Sequence, residues 1–277
     1  MNFKALSKSF LAFLLLTFAA LVLVACGGSS DEGETSDGSN EGAETEQSGD
    51  GGEKAKYVVG TDAAYAPMEY IDESGEIVGI DIDVVNAIAE EMGFEVEFQN
   101  TGWDPLFPAV KNGEVDFAVS SITITEERKK EYDFTEPYYV AKQLILVPED
   151  SDVEKFEDLK DKRVAVQIST TGHEVVKGLL GETSEQILAA DTLPVAIGEM
   201  INGNAEAVVA DNAPVLEYMK SNPDVKFKTV EDDSFEKEYY GIMVKKGNTE
   251  LLELLNEGIK RLKESGKLQE ITGVEVD

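Results

Sequence analysis

The sequence predicts an α/β protein of two Rossmann-like lobes joined by a two-strand hinge. Strand and helix patterns alternate in both halves of the chain from about residue 56 onward, which is the order of a parallel α/β layer. One phrase occurs in each half, because residues 112–119 and 202–209 both read as an Asn-Gly helix stop followed by a buried strand. Two apolar segments, residues 144–147 and 239–244, are suited to cross between the lobes.

The first half contains three predicted strands separated by two helices. Asp81 is suited to cap the first helix, which has an apolar face at α-helical spacing and stops at Gly93. Asp104 and Pro105 supply an N-cap and a first-turn proline for the second helix. The strands are predicted at residues 57–60, 95–98 and 117–119, and the helices at residues 81–92 and 104–112.

The second half repeats this order, and the C-terminal helix from residue 249 to about 265 is expected to return to the first lobe. A strand at 163–166 leads through the turn at 169–172 into a helix, and a second helix and strand follow at 193–202 and 205–210. In such layers ligands bind where strand ends meet helix starts.

The predicted organisation is a lipoprotein signal peptide (1–25), a lipidated cysteine and tether (26–55), a first lobe (56–141, completed by 241–277) and a second lobe (142–240, with hinge strands at its ends).

The N-terminus is typical of a secreted lipoprotein. Lys4 and Lys8 precede an apolar run at residues 10–24, which is shorter than a comfortable membrane span. Residues 23–26, Leu-Val-Ala-Cys, resemble the bacterial lipobox, which implies that Cys26 is lipidated and becomes the first mature residue. The alternative is an ordinary signal with a nearby cysteine. Residues 31–53 contain nine acids and no base, a composition that predicts a flexible tether.

The formal net charge of −32 argues against nucleic-acid binding, which needs lysine and arginine for phosphate contacts. The charge favours approach of cationic ligands, although solubility or a salty or alkaline habitat is the simpler cause. Cys26 and His173 are the single cysteine and the single histidine, and no nucleophile elbow, P-loop or dinucleotide fingerprint is present. We therefore predict no catalytic residues, no metal and no cofactor.

Arg128 is the central candidate for ligand binding. A predicted strand runs into the hydroxyl-rich residues 120–123, and Thr125 is suited to cap a helix with Glu126 and Glu127 in its first turn. Hydroxyls, helix-start N–H groups and an arginine in one place can hold a carboxylate. The alternative is a surface arginine paired with Glu127 or Glu131.

Five motifs carry a resemblance to a known family: Gly-Thr-Asp-Ala-Ala-Tyr-Ala-Pro (60–67), Gly-Ile-Asp-Ile-Asp (79–83), Ile-Thr-Ile-Thr-Glu-Glu-Arg (122–128), Asp-Phe-Thr-Glu-Pro-Tyr (133–138) and Tyr-Gly-Ile-Met-Val-Lys-Lys-Gly (240–247). From residue 57 to about 271 the chain resembles the solute-binding proteins of ABC transporters for polar amino acids. These are bacterial extracellular solute-binding proteins of family 3, with a type II periplasmic-binding-protein fold. The resemblance implies a monomer that gives a free L-amino acid to permease subunits in the membrane.

The resemblance also implies how the α-groups of the ligand are held. Arg128 binds the α-carboxylate, with help from the backbone amides of Thr123 and Thr171. Asp211 receives the α-ammonium, with Ser121 and Thr123 contributing acceptors. A zwitterion removed from water needs both partners, and contacts to both lobes would favour closure. Position alone offers Asp211 a second role as the cap of the following helix.

Asp62, Tyr65, Trp103 and Gln167 are expected to select the ligand side chain. Tyr65 and Trp103 match the family's two aromatic walls, between which a guanidinium or alkylammonium sits well, and Asp62 is placed to pair with that cation. The alternative is that Tyr65 belongs to the core and Trp103 to lid packing. Residues 101–107 are most similar to those of the arginine, lysine and histidine binders.

Two departures from the family pattern leave the ligand open. Ser121 stands where many relatives carry glycine, and Ile168-Ser169 replaces a smaller, more polar pair. The leading hypothesis is a lipid-anchored receptor on the extracellular face of a Gram-positive-type membrane that binds arginine, lysine or histidine and is not an enzyme. The same role with glutamine, cystine or another polar amino acid is the alternative. A cyclohexadienyl-dehydratase-like enzyme is remote, because it needs further cleft cations besides Arg128.

Overall fold

The computed structural model describes residues 54–276. The predictions for the signal peptide, for Cys26 and for tether residues 26–53 lie outside the described residues. The strands are β1 (Lys56–Thr61), β2 (Ala64–Tyr65), β3 (Glu69–Ile71), β4 (Ile77–Val78), β5 (Glu95–Asn100), β6 (Phe117–Ala118), β7 (Tyr132–Phe134), β8 (Tyr139–Pro148), β9 (Val164–Gln167), β10 (Ile187–Ala190), β11 (Ala207–Asp211), β12 (Phe227–Val230), β13 (Lys237–Tyr240) and β14 (Met243–Lys245). The helices are α1 (Ile80–Met92), α2 (Trp103–Asn112), α3 (Arg128–Glu131), α4 (Thr171–Leu180), α5 (Leu193–Ile201), α6 (Asn212–Ser221), α7 (Thr249–Glu264) and α8 (Lys267–Thr272), with one 3₁₀ turn at Phe156–Leu159.

A five-stranded sheet and a six-stranded sheet of similar design form the two lobes, and the sixth strand of the second is β13, which pairs with β8. The first sheet has the order β5-β1-β6-β14-β7, and the second has the order β10-β9-β11-β8-β12. Along each of these orders four strands run in the same direction, and one strand, β14 in the first sheet and β8 in the second, runs antiparallel to them. The two copies of the repeated phrase supply the central strands β6 and β11. The predicted fold class is thereby confirmed, while the residue bounds assigned to the lobes stay predictions.

The chain crosses between the lobes on an antiparallel pair formed by β13 and the first half of β8. Lys237 to Tyr240 pair with Lys142 to Tyr139, and β13 continues directly into β14 of the first sheet. The prediction that residues 144–147 cross between the lobes was wrong. These residues are at most 5 % exposed because they lie inside the second sheet, paired with β11 and β12.

The C-terminal helix α7 packs on α1. Its apolar face holds Leu251, Leu255, Ile259 and Leu262, all at most 4 % exposed. The contact is close: an added Cβ at Gly258 would lie 2.5 Å from Ile88 Cγ2. Glycine therefore sets the distance between these two helices.

Two predicted helix caps were wrong. Helix α1 begins at Ile80 with Gly79 at its N-cap, and α2 begins at Trp103 with Gly102 at its N-cap. Both glycines have positive φ (133° and 74°), a geometry that an aspartate cap does not adopt readily. Asp104 lies in the first turn of α2, and Asp81 is a buried residue whose carboxylate binds another segment.

The candidate ligand-binding cavity

One cavity between the lobes is lined by all nine predicted binding residues. Its lining consists of Asp62, Tyr65, Glu69, Trp103, Ser120, Ser121, Thr123, Arg128, Gln167, Thr170, Thr171 and Asp211. The space in it that protein atoms do not fill is about 310 Å³, including the open solvent at its mouth. Loops after β1 and β6 supply the wall from the first lobe, and the ends of β9 and β11 with the start of α4 supply the wall from the second. The carboxyl ends of parallel strands from both sheets therefore meet here.

Arg128 is oriented by contacts from both lobes. Its Nη1 donates to the Thr123 carbonyl (2.8 Å) and its Nη2 donates to the Ser169 carbonyl (3.2 Å). The guanidinium carbon lies 5.4 Å from the ring centroids of both Trp103 and Phe107, so the predicted aromatic wall also supports the arginine. Burial lowers the pKa of Arg128 to about 10, which still leaves it cationic at neutral pH.

The alternative surface pairing of Arg128 is not observed. Glu127 pairs with Lys130, and Glu131 pairs with Lys111. Thr125 accepts a hydrogen bond from the Arg128 N–H (3.1 Å), but the N-cap of α3 is Glu127, so the predicted capping position of Thr125 was wrong. Helix α3 has only four residues, and Glu126 and Glu127 lie in a turn before it rather than in its first turn.

Asp211 presents a hydrogen-bonded carboxylate from the second lobe. Its Oδ2 accepts hydrogen bonds from the hydroxyls of Tyr65 (2.9 Å) and Tyr240 (2.6 Å), and its Oδ1 accepts one from the Gln143 amide. Asp211 stands at the N-cap position of α6, but its side chain makes no capping bond. Burial raises the pKa of Asp211 to about 6 in spite of these donors.

Asp62 and Gln167 meet across the cavity. The Gln167 amide nitrogen donates to Asp62 Oδ2 (3.0 Å), and the Asp62 N–H donates to the Ser120 hydroxyl (3.0 Å). Asp62 is only 5 % exposed, and burial raises its pKa above the usual range for an aspartate. A buried carboxylate with one amide partner is a good receptor for a cation.

Glu69 and Asp81 form a buried carboxyl pair that sequence reasoning missed. Glu69 lines the cavity and is 1 % exposed, and Asp81 is fully buried behind it. Ser120 Oγ donates to Glu69 (2.8 Å), and the Ser121 N–H donates to Asp81 Oδ2 (2.6 Å). Burial raises the pKa of Asp81 to about 6, and burial together with the nearby Asp81 charge raises the pKa of Glu69 well above its usual range. The available signal in the sequence was the position of Glu69, an acid that directly follows the apolar pair Pro-Met at 67–68.

Sequence reasoning also missed Glu238 on the crossing strand β13. It lies next to the cavity rather than in its lining, and its carboxylate accepts the hydroxyls of Thr123 and Thr171. It lies just before the predicted crossing segment at 239–244, and nothing in its local sequence indicates these partners.

The two departures from the family pattern coincide with left-handed backbone. Ser121 has φ 49° and Ser169 has φ 59°, the non-glycine residues with positive φ in the described part of the chain. Glycine adopts this region without strain, so a glycine at the position of Ser121 would fit the same backbone. Ser121 lines the cavity, and the Ser169 carbonyl accepts a hydrogen bond from Arg128.

Residues 54–276 contain no cluster of three or more His, Cys, Asp or Glu arranged to hold a metal ion. Within the same range, none of the helices combines the length and hydrophobicity that a membrane span requires.

The model of the family described as "Bacterial extracellular solute-binding proteins, family 3" matches residues 57–273. The chain belongs to this family. A probable histidine-binding protein of Neisseria gonorrhoeae is 35% identical over 257 residues, covering 92% of this chain and 91% of the relative. The arginine-binding extracellular protein ArtP of Bacillus subtilis (strain 168) is 30% identical, covering 95% and 96%.

A solved structure agrees with these relatives. The arginine-, lysine-, histidine-binding protein ArtJ from the thermophilic bacterium Geobacillus stearothermophilus is 45% identical, with a TM-score of 0.76 over 80% of this chain and 97% of that one. The family-3 solute-binding protein described here has the type II periplasmic-binding-protein fold of such neighbours. Its family is one of solute-binding transporter components rather than of enzymes.

Proposed function

We propose that this family-3 protein is the extracellular ligand receptor of an amino-acid ABC importer and that it binds a basic L-amino acid by lobe closure. The supporting observation is the charge pattern of the cavity: Arg128 and Asp211 line it from opposite lobes, and two further acids, Asp62 and Glu69, line it as well. A basic amino acid has one carboxylate and two cationic groups. Its charges are therefore complementary to one arginine and an excess of carboxyls.

The α-groups of the ligand would bind between Arg128 and Asp211. Arg128 is cationic and receives the α-carboxylate, with the backbone amides of Thr123 and Thr171 as further donors. Asp211 receives the α-ammonium, and Ser121 and Thr123 contribute acceptors. One ligand end thus contacts each lobe, so that binding stabilises the closed state.

The cationic end of the ligand would bind at Asp62 and Glu69. Gln167, which contacts Asp62 in the structure, then serves as a polar neighbour of the same group. The rings of Tyr65 and Trp103 provide the aromatic walls for the alkyl chain or guanidinium. Glutamine, cystine or another polar amino acid in the same role is the alternative, since these ligands need Arg128 and Asp211 but not a carboxylate at the far end.

The proposed activity is binding without turnover. A dehydratase acting on a prephenate-like acid needs a second cationic group for its second carboxylate, and in the described range Arg128 is the one basic side chain in the cavity lining. Incubation with prephenate should give no product.

We further propose that lipidation of Cys26 anchors a monomer on the outer face of the cell membrane, where it delivers its ligand to permease subunits. Replacing Cys26 by serine should release the protein from the membrane fraction into the medium. Retention of the Cys26→Ser variant in the membrane fraction would contradict the anchor.

The experiment that tests the receptor is a thermal-shift panel of the twenty amino acids, followed by calorimetry. Arginine, lysine or histidine should raise the melting midpoint and bind with a Kd of about 1 μM or tighter, or about −8 kcal/mol. The variant Arg128→Gln should bind none of them detectably. Shifts with neutral amino acids only would support the alternative ligand, and no shift with any amino acid would overturn the receptor.

A further inference from the structure

A single carboxylate oxygen on the crossing strand joins the two lobes behind the cavity. Oε2 of Glu238 accepts the Thr123 hydroxyl (2.8 Å) from the first lobe and the Thr171 hydroxyl (2.6 Å) from the second. Oε1 accepts the Gln143 amide nitrogen (3.0 Å). Both threonines line the cavity, whereas Glu238 does not, so a ligand in the cavity would contact the threonines and not the glutamate.

Glu238 lies where both lobes can be held at once. It sits on β13, opposite Ala141 of β8, in the strand pair on which the chain crosses between lobes. A groove on the far side is lined by Glu238 together with Thr123, Gln143 and Thr171, so these side chains separate the cavity from that groove. Glu238 is therefore positioned between the ligand-facing threonines and the solvent.

The hydrogen bonds also fix the direction of both hydroxyl protons. An ionised carboxylate can only accept, so Thr123 and Thr171 must donate their protons to Glu238. The Gln143 amide also donates to the Thr171 hydroxyl (3.2 Å), so Thr123 keeps both oxygen lone pairs, and Thr171 keeps one, as acceptors for a further group. Acceptors at these positions suit the α-ammonium of an amino acid, and the threonine backbones stay in place for its α-carboxylate.

We propose that Glu238 is a positioning residue for ligand binding: it holds the two ligand-facing threonines of opposite lobes together and orients their hydroxyls as acceptors. This inference rests on the proposed function, because it concerns the site of the ligand α-groups. The contacts with both threonines require the closed arrangement of the lobes. Loss of Glu238 should therefore speed the escape of bound ligand more than it slows capture.

Stopped-flow fluorescence with L-arginine tests this proposal, because Trp103 is the single tryptophan of the chain and lines the cavity. Glu238→Ala should raise koff at least about tenfold and change kon less than about twofold. Glu238→Gln should stay within about threefold of the wild-type koff. Its amide oxygen can still accept both hydroxyls, so only the hydrogen bond from the Gln143 amide nitrogen is lost.

Glu236→Ala is the matched control, since Glu236 is exposed on the same segment and carries the same charge. It should leave koff unchanged, and the ligand-free melting temperatures of all three variants should stay within about 2 °C of wild type. An unchanged koff in Glu238→Ala would overturn the positioning role. A Glu238→Gln koff as fast as that of Glu238→Ala would also overturn it, because charge rather than hydrogen bonding would then be responsible. If the wild type binds no amino acid of the panel, the proposed function fails and this inference fails with it.

Discussion

Tyr65 donates a 2.9 Å hydrogen bond to Oδ2 of Asp211, across the boundary between the two lobes. Tyr65 ends β2 in a three-stranded sheet of order β2-β3-β4, and Asp211 ends β11 in the second large sheet. The proposed acceptor of the ligand ammonium thus also holds the lobes together. Closure and ligand binding consequently use the same carboxylate.

Replacing Tyr65 by phenylalanine should weaken arginine binding about fivefold. The ring that lines the cavity is kept, while one hydrogen bond of about 1 kcal/mol between the lobes is lost from the closed state. Calorimetry measures the change, with Tyr70→Phe as control because Tyr70 is 37 % exposed on the neighbouring strand. Equal affinities of Tyr65→Phe and wild type would show that this bond does not contribute to closure.

Replacing Asp62 by asparagine should distinguish cationic from neutral ligands. A buried cation without its partner charge costs several kcal/mol, so arginine affinity should fall at least about 100-fold, whereas glutamine affinity should fall less than about tenfold. Competition titrations with both amino acids give the ratio. The exposed Asp104→Asn variant should change neither affinity. Equal losses for the two ligands would remove Asp62 from the cation site.

Arginine affinity should rise with pH between pH 5 and 7. Burial raises the pKa of Asp211 to about 6 and also raises that of Glu69, and a bound cation needs both groups deprotonated. Each carboxyl that must lose its proton on binding lowers the affinity by up to about tenfold for every pH unit below its own pKa in the ligand-free protein. Titrations at pH 5, 6 and 7 should show a smaller slope in Glu69→Gln. A flat profile in the wild type would contradict the assignment of these carboxyls.

The stability of the ligand-free protein should fall as the pH rises, whereas arginine affinity rises. A carboxyl with a raised pKa in the folded state favours folding while it is protonated, and this contribution is lost as pH rises through the folded pKa. For Asp81 the window runs from about 3.9, the ordinary aspartate value, to about 6, at up to about 1.4 kcal/mol per pH unit. Melting temperatures between pH 4.5 and 7 should fall less steeply in Asp81→Asn than in Asp83→Asn, an exposed control on the same helix. Parallel curves for the two variants would argue against the buried pair.

Replacing Gly258 by alanine should destabilise the protein by about 1–3 kcal/mol. The added Cβ would lie 2.5 Å from Ile88 Cγ2, and an overpacked contact between α1 and α7 must shift the backbone. Gly178→Ala in α4 is the control, because nothing lies within 4 Å of its Cβ position and alanine favours helix. Urea denaturation should show Gly178→Ala at least as stable as wild type. A Gly258→Ala variant as stable as wild type would mean that the two helices can separate without a cost in folding free energy.

Local sequence patterns predicted the elements well wherever the pattern extends over many residues. The apolar periodicity of α1 and α7 and the repeated Asn-Gly phrase at 112–119 and 202–209 each correspond to an element in the structure. Helix starts were less predictable, since α1 and α2 each have an aspartate in the first turn that looks like a better N-cap than glycine. The N-caps are nevertheless Gly79 and Gly102. The crossing strand was misplaced because residues 139–148 form one continuous strand, and its change of partners leaves no mark in the sequence.

The residues of the cavity were predicted because Arg128, Asp211 and their neighbours lie at strand ends and within motifs of the family. Their side-chain partners were not predictable in the same way. Glu69, Asp81 and Glu238 act through contacts with segments 40 to 115 residues away in the sequence. No local pattern encodes such pairs.

By itself, the sequence determined the α/β order, the duplication of the lobes, the family and the set of polar residues lining the cavity. These properties follow from periodicity, turn residues and charge, which are local. Only the tertiary structure decided which carboxyls are buried together, which donors Asp211 uses and where the lobes cross. The physical reason is that pKa values and hydrogen-bond partners depend on the distance between residues in space, and folding alone brings those residues together.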